Sequence, residues 1–143
     1  MEQPRYFEAP ASWGLMRWLL DTNVIIDAFA GRAKAAKAIT SARTSDVEWI
    51  GYSAVTRLEV LGFPGLAEED EVGLRQLLAE FSEAEVSAAI IERAIEIRRS
   101  VRIKTPDAIV AATALIYGAS LVTRNVEDFS IVPGLTVVDP ASL

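Results

Sequence analysis

Arg17-Trp-Leu-Leu-Asp-Thr-Asn-Val-Ile-Ile-Asp-Ala-Phe29 is the stretch whose reading decides the fold. Trp18 to Leu20 form a short apolar run that stops at three polar residues, Asp21, Thr22 and Asn23. Val24, Ile25, Ile26, Ala28 and Phe29 then return at a spacing that suits a helix. A buried strand, a polar turn and a helix follow from that pattern. Open α/β sheets bind ligands beyond the carboxyl ends of their strands, and Asp21 is expected to stand there.

The chain around this stretch has 143 residues, of which 51% are hydrophobic and 24% charged, a balance that suits one folded domain rather than a disordered segment. It contains no cysteine and no histidine. Thiolate nucleophiles, disulfides, imidazole bases and His- or Cys-ligated zinc are therefore excluded. Catalysis, if present, must use carboxylates, hydroxyls, Lys, Arg or an oxygen-bound metal, and such ligands favour Mg²⁺ or Mn²⁺. The net charge of −6 opposes a general nucleic-acid coat but tolerates a nucleic-acid enzyme with a local basic surface. Arg93, Arg98, Arg99, Arg102 and Lys104 form one such concentration, whose structural alternative is a solvated face.

Residues 1–15 lack periodicity and carry two prolines, so a flexible N-terminal extension is expected before a single domain at 16–143, with Met16 a candidate start. They also lack a basic start followed by an apolar segment, and the apolar run from Ala108 to Val122 is too short and interrupted to span a membrane. A cytoplasmic protein is expected. Further along, Gly31 stops the first helix and Arg32 to Ala42 reads as a second. Val47 to Tyr52 reads as a strand, with Ser53 capping a helix over Ala54 to Leu61. Acidic Glu68 to Glu71 begins a helix reaching about Phe81, Glu83 to Val86 suits an edge strand, and Ser87 to Arg102 suits another helix. Thr105-Pro-Asp107 opens a helix that stops at Gly118, with Thr105 at the cap position. Ala119 to Thr123 and Leu135 to Val138 are the last strands. Alternating strands and helices predict an α/β fold, a three-layer α/β/α sandwich on a mainly parallel sheet.

Three further acids are candidate companions of Asp21. Glu59 interrupts an apolar helix, Asp107 stands at a helix entrance, and Asp128 follows the Leu121-Val-Thr123 strand. Four converging carboxylates repel one another unless a divalent cation joins them, and such an ion can activate water against a phosphodiester. Each acid also has a structural alternative: Asp21 as a helix cap, Glu59 as a solvated helical residue, Asp107 as a partner of the helix dipole, Asp128 as a loop residue. Asp27 is read as solvated or locally bonded.

Four blocks appear in order: Leu19-Leu-Asp-Thr-Asn23, Ser53-Ala-Val-Thr-Arg-Leu-Glu-Val-Leu-Gly62, Thr105-Pro-Asp-Ala-Ile-Val-Ala-Ala-Thr-Ala114 and Leu121-Val-Thr-Arg-Asn-Val-Glu-Asp-Phe129. Over Met16 to Pro140 this resembles the PIN-domain family, specifically the VapC-type toxins of toxin–antitoxin pairs. The resemblance implies a PIN-like fold and a Mg²⁺- or Mn²⁺-dependent endoribonuclease that hydrolyses RNA by metal-activated water. It implies Asp21 and Asp107 as metal ligands, with Glu59 and Asp128 acting through water or a second ion. Asn23 and Thr123 match supporting polar positions. The chain departs at Asn125, where some PIN domains carry an acid; Asn can hold a water but adds no charge. A homodimer and a VapB-like antitoxin that inserts a segment into the active-site groove are also implied. Arg57, Arg98, Arg99 and Arg102 are candidate phosphate contacts.

Other classes fit less well. An aspartyl phosphatase commonly carries Asp-x-Asp at the first strand end, where this chain has Asn23 as the second polar residue. A phospho-receiver domain uses a late lysine, and no lysine follows Lys104. A PIN-like scaffold that only binds a partner or RNA has no need of four grouped acids.

Overall fold

The computed structural model describes residues 16–44 and 47–143; the expected N-terminal extension lies outside them. Among these described residues, five strands, β1 (Met16–Leu20), β2 (Val47–Ser53), β3 (Ser82–Ala84), β4 (Ser120–Val122) and β5 (Val137–Val138), alternate with seven α-helices. These are α1 (Thr22–Phe29), α2 (Ala33–Thr44), α3 (Ala54–Leu61), α4 (Glu68–Leu78), α5 (Ala88–Ser100), α6 (Thr105–Tyr117) and α7 (Val126–Ser130). All neighbouring strands run parallel, in the order β3-β2-β1-β4-β5. The chain thus builds outward from β1 in one direction and then from β4 in the other. That reversal places a crevice above the β1/β4 pair, where Leu20 stands beside Val122.

Side-chain alternation on the strands produces the layers. Leu19 and Leu121 point into a core shared with Ile90, Ala94 and Ile97 of α5, Ala108 and Ala111 of α6, and Phe129 of α7. Trp18, Leu20 and Val122 point the opposite way, towards Val24 and Ile25 of α1, Ile39 of α2, Val60 of α3 and Leu74 and Leu78 of α4. The expected three-layer architecture is present. Two helix starts follow from short hydroxyl side chains: Ser53 accepts from Val55 N–H and Ser87 from Ile90 N–H. At α6 the cap position belongs to Lys104 rather than Thr105, whose hydroxyl accepts from Arg98 instead. Gly118 ends α6 at φ 63°, a left-handed conformation that favours glycine. Helix α4 stops at Leu78, short of Phe81, because Phe81 joins the β3 approach and packs on the second core.

Gly51 in β2 is needed for space. A Cβ there would lie 2.3 Å from the Trp49 ring and 2.6 Å from the Ser82 carbonyl. Trp49 is itself held by stacking on Tyr117, with ring centroids 4.9 Å apart. Gly51→Ala is therefore expected to cost about 1–3 kcal/mol, the usual penalty of overpacking, read as a lower urea midpoint.

Candidate active site

Asp21 follows β1 directly and is 6% exposed. Its backbone N–H still donates to the Val122 carbonyl, so the residue is pinned to the sheet while its side chain turns over the crevice. Thr22 N–H donates to Oδ1 at 2.9 Å; Oδ2 accepts from Asn23 Nδ2 at 3.1 Å and from Thr123 Oγ1 at 2.8 Å. The same Thr123 hydroxyl accepts from Asn23 Nδ2 and from Asn125 N–H. Asn23 Oδ1 accepts Arg124 N–H at 3.1 Å. Asp21, Asn23 and Thr123 are thus one hydrogen-bonded unit across the strand-order reversal. Asn125 joins it through its backbone N–H, with its side chain exposed.

The other acids reach the same rim by different routes. Helix α6 ends immediately before β4, so its entrance and Asp107 lie at the carboxyl ends of the strands. Helix α3 begins at the end of β2, and Glu59 on it accepts from Thr22 Oγ1 at 2.6 Å. Thr22 Oγ1 also lies 3.0 Å from the buried Thr56 hydroxyl. Asp128 stands in α7, just beyond β4. Burial raises the Asp107 pKa, and the charges of Asp21, Asp128 and Glu59 raise it further, against an opposing pull from Lys104. Burial is also the main cause that raises the Asp21 pKa, followed by opposing bonds from Thr123 and Thr22 and by repulsion from Glu59. Asp107 therefore feels the charges of the other three acids found in the sequence, and Asp21 that of Glu59. Among the described residues, no three or more acids stand close enough to hold an ion by protein atoms alone.

The basic candidates are more dispersed. Arg57 is committed to Glu83 through Nε at 2.5 Å and a second nitrogen at 3.1 Å. Arg98 donates to Thr105, while Arg99 and Arg102 are exposed near the end of α5. Asp27 is locally bonded as expected, yet it is 5% exposed rather than solvated. It accepts from Arg32 at 2.8 Å and from Arg124 Nε at 2.5 Å. The Thr22 link to Glu59 and the Asp27–Arg124 pair were missed in the sequence. Only the four-residue spacing of Asn23 and Asp27, which puts both on one face of α1, hinted at the latter.

Thr123→Val keeps the side chain's shape and removes the hydroxyl that bonds Asp21 and Asn125. Loss of such an orienting group typically costs roughly 10–100-fold, and that reduction is expected in divalent-ion affinity by calorimetry.

A family model described as PIN domain matches residues 18–135, and the chain belongs to the PIN-domain family. PIN domains are in general nucleases that use divalent metal ions. The chain is similar to a solved toxin–antitoxin complex from Klebsiella pneumoniae, at 35% identity and TM-score 0.71, covering 85% of this chain and 96% of that one. It shares its fold with VapBC2 from Rickettsia felis bound to a promoter DNA fragment, at 21% identity and TM-score 0.75, over 85% and 97% of the two chains. It also shares it with VapBC-1 from nontypeable Haemophilus influenzae, at 23% identity and TM-score 0.73, over 87% and 98%. The resemblance to VapC-type PIN toxins drawn from the four sequence blocks is borne out by these relatives. No curated protein matches. No helix among the described residues is long and apolar enough to cross a membrane.

Proposed function

We propose that this chain is a Mg²⁺- or Mn²⁺-dependent endoribonuclease and the toxin of a type II toxin–antitoxin pair. The observation that carries the reading is the grouping of Asp21, Glu59, Asp107 and Asp128 above the strand-order reversal, where burial first, and then the charges of the other three, raise the Asp107 pKa. A nucleic-acid cleft with that much negative charge is unfavourable unless a cation enters it.

The donor set fits a hard divalent ion, because every candidate group is an oxygen. Mg²⁺ usually takes one or two carboxylates and keeps several waters, so a closed protein cage is not required. Asp21 and Asp107 would hold it directly, with Glu59 and Asp128 acting through water. When bound, the ion supplies Lewis-acid polarisation of the phosphodiester and a more acidic water. The protein's own contribution is orientation: Asn23 and Thr123 fix one oxygen of Asp21, and Thr22 fixes Glu59. Asn125 adds no charge, which favours a single tightly held ion.

A VapB-like antitoxin is the proposed partner, with a cytoplasmic homodimer as the proposed state. Its support is the likeness to toxin–antitoxin complexes and a groove of about 260 Å³ lined by Ile26, Phe29, Phe63, Leu66 and Leu74, with Glu59 at its edge. The N-terminal 15 residues are proposed as an extension to one PIN domain at 16–143.

The test is cleavage of a mixed RNA pool by purified protein with Mg²⁺, with Mn²⁺ and with chelator. Cleavage only with metal, yielding defined RNA ends, supports the reading. Cleavage indifferent to chelator, or no response to metal in either cleavage or calorimetry, leaves a binding scaffold and overturns it.

A further inference from the structure

A cavity of about 620 Å³ reaches α1 at Asp27 and the end of β4 at Arg124. Arg32, Lys34 and Arg124 line it together with Asp27 and Asp139. In a chain of net charge −6, this concave surface gathers three cations. Against the two acids, the cavity keeps an excess of one positive charge. Asp27 lies beneath the arginines and is 5% exposed, so it orients both guanidinium groups from below. Asp139 turns its carboxylate to Ala141 N–H at the final helical turn, Pro140–Ser142. Arg32 and Arg124 keep 65% and 56% of their side-chain surface exposed, leaving donors free towards the cavity. The remaining wall, Ala33 and Ala35 of α2 with Pro140 and Ala141, carries no charge.

The cavity is coupled to the candidate active site through one residue. Arg124 donates its backbone N–H to Asn23, which holds Asp21, and its guanidinium to Asp27, one helical turn further along α1. Four residues of helix rise about 6 Å, which is the spacing along α1 between Asn23 and Asp27. Guanidinium groups pre-set by a buried carboxylate suit a tetrahedral anion with several acceptor oxygens.

We propose that Arg32, Lys34 and Arg124 form a subsite for a backbone phosphate of bound RNA, next to the phosphodiester held over the acids. This rests on the nuclease reading for its substrate but not for its test. The cations offset the repulsion between RNA and the acidic crevice and set which phosphodiester lies over it. The interaction reads no base, since phosphate contacts position a strand without specifying its sequence.

Binding is measured without divalent metal, by fluorescence anisotropy of a labelled random-sequence single-stranded RNA across a KCl series, so hydrolysis plays no part. Arg32→Ala/Lys34→Ala is expected to weaken binding several-fold and to lower the salt slope by roughly 0.7 for one lost single-strand phosphate contact. Lys34→Glu is the second variant, at an exposed position, should the double change disturb folding as judged by circular dichroism. Arg32→Lys/Lys34→Arg is expected to restore the slope. Unchanged affinity and slope in folded variants overturns the subsite, as does absence of salt-dependent RNA binding by the wild type. Competition by inorganic phosphate alone, with no variant effect on RNA, shows a free-anion site and overturns the RNA assignment. A variant effect on binding in a protein that never cleaves RNA retains the subsite and removes the nuclease reading instead.

Discussion

Asp21→Asn and Asp107→Asn are each expected to remove metal-dependent RNA cleavage, by more than the roughly 10–100-fold typical of an outer-shell change. Both substitutions keep the side chain's size while deleting the charge that would hold the ion. At Asp21 one of the two oxygens that accept from Thr22, Asn23 and Thr123 also becomes a donor. Asp107→Asn should not unfold the protein, because its negative charge is a burden on the folded state. Asp21→Asn is compared as folded protein, checked by circular dichroism, because it gives up an accepted hydrogen bond at a buried position. Burial disfavours ionised Asp21 and Asp107, and neighbouring acids add to it. A folded-state pKa above the ordinary 3.8 means that the folded protein holds more protons than the unfolded chain in the window above 3.8. The stability contributed by these groups is present at low pH and lost as pH rises through their folded values. Metal-free Asp107→Asn should therefore gain in melting temperature relative to wild type as the pH is raised above 3.8 and Asp107 ionises. Mg²⁺ or Mn²⁺ should reverse the order at the upper end by stabilising only the wild type. A melting difference that ignores pH, or equal cleavage by wild type and folded variants, would sink the assignment of these acids.

Phe129→Ala carries the largest expected effect on stability, about 3–5 kcal/mol, in a fold class whose total stability is typically about 5–15 kcal/mol. The ring is fully buried among Leu121, Ala108, Ala111 and Val132. It is the anchor of the five-residue α7, whose other described members are exposed or half-buried. The exposed Asp128 is attached to the site through this one root. Urea unfolding measures the loss, and Ile131→Ala, at a position 48% exposed, serves as the neighbour that should change little. A cost below about 1 kcal/mol for Phe129→Ala would show that α7 is held by something other than its ring.

Much of this architecture was legible in local pattern. The apolar run before Asp21, Ser53 and Ser87 as caps, Pro106 at a helix entrance and Gly118 after one are signals that act over a few residues. They fixed the order of strands and helices and placed Asp21 and Asp107 at element ends. Helix α3 coincides with its expected span, because its cap and its glycine stop both lie in sequence. Where a boundary depended on distant packing, as at α4 and Phe81, the expected end moved.

The four acids were likewise visible singly, since a carboxylate at a strand end or on an apolar helix stands out against its neighbours. Their mutual repulsion was conditional on the fold. The sequence by itself determined the element types, the oxygen-only chemistry and the four blocks that mark the family. Only tertiary structure decided that β1 and β4 are neighbours at a reversal of strand order, which brings Thr123 to Asp21 across a sequence separation of 102. It also decided that Asp27 is buried under Arg32 and Arg124, and that Arg57 is committed to Glu83. The physical reason is that hydrophobic period and capping are written locally. Burial, charge pairing and pKa depend on what long-range strand pairing sets alongside, and no local spacing encodes that partner.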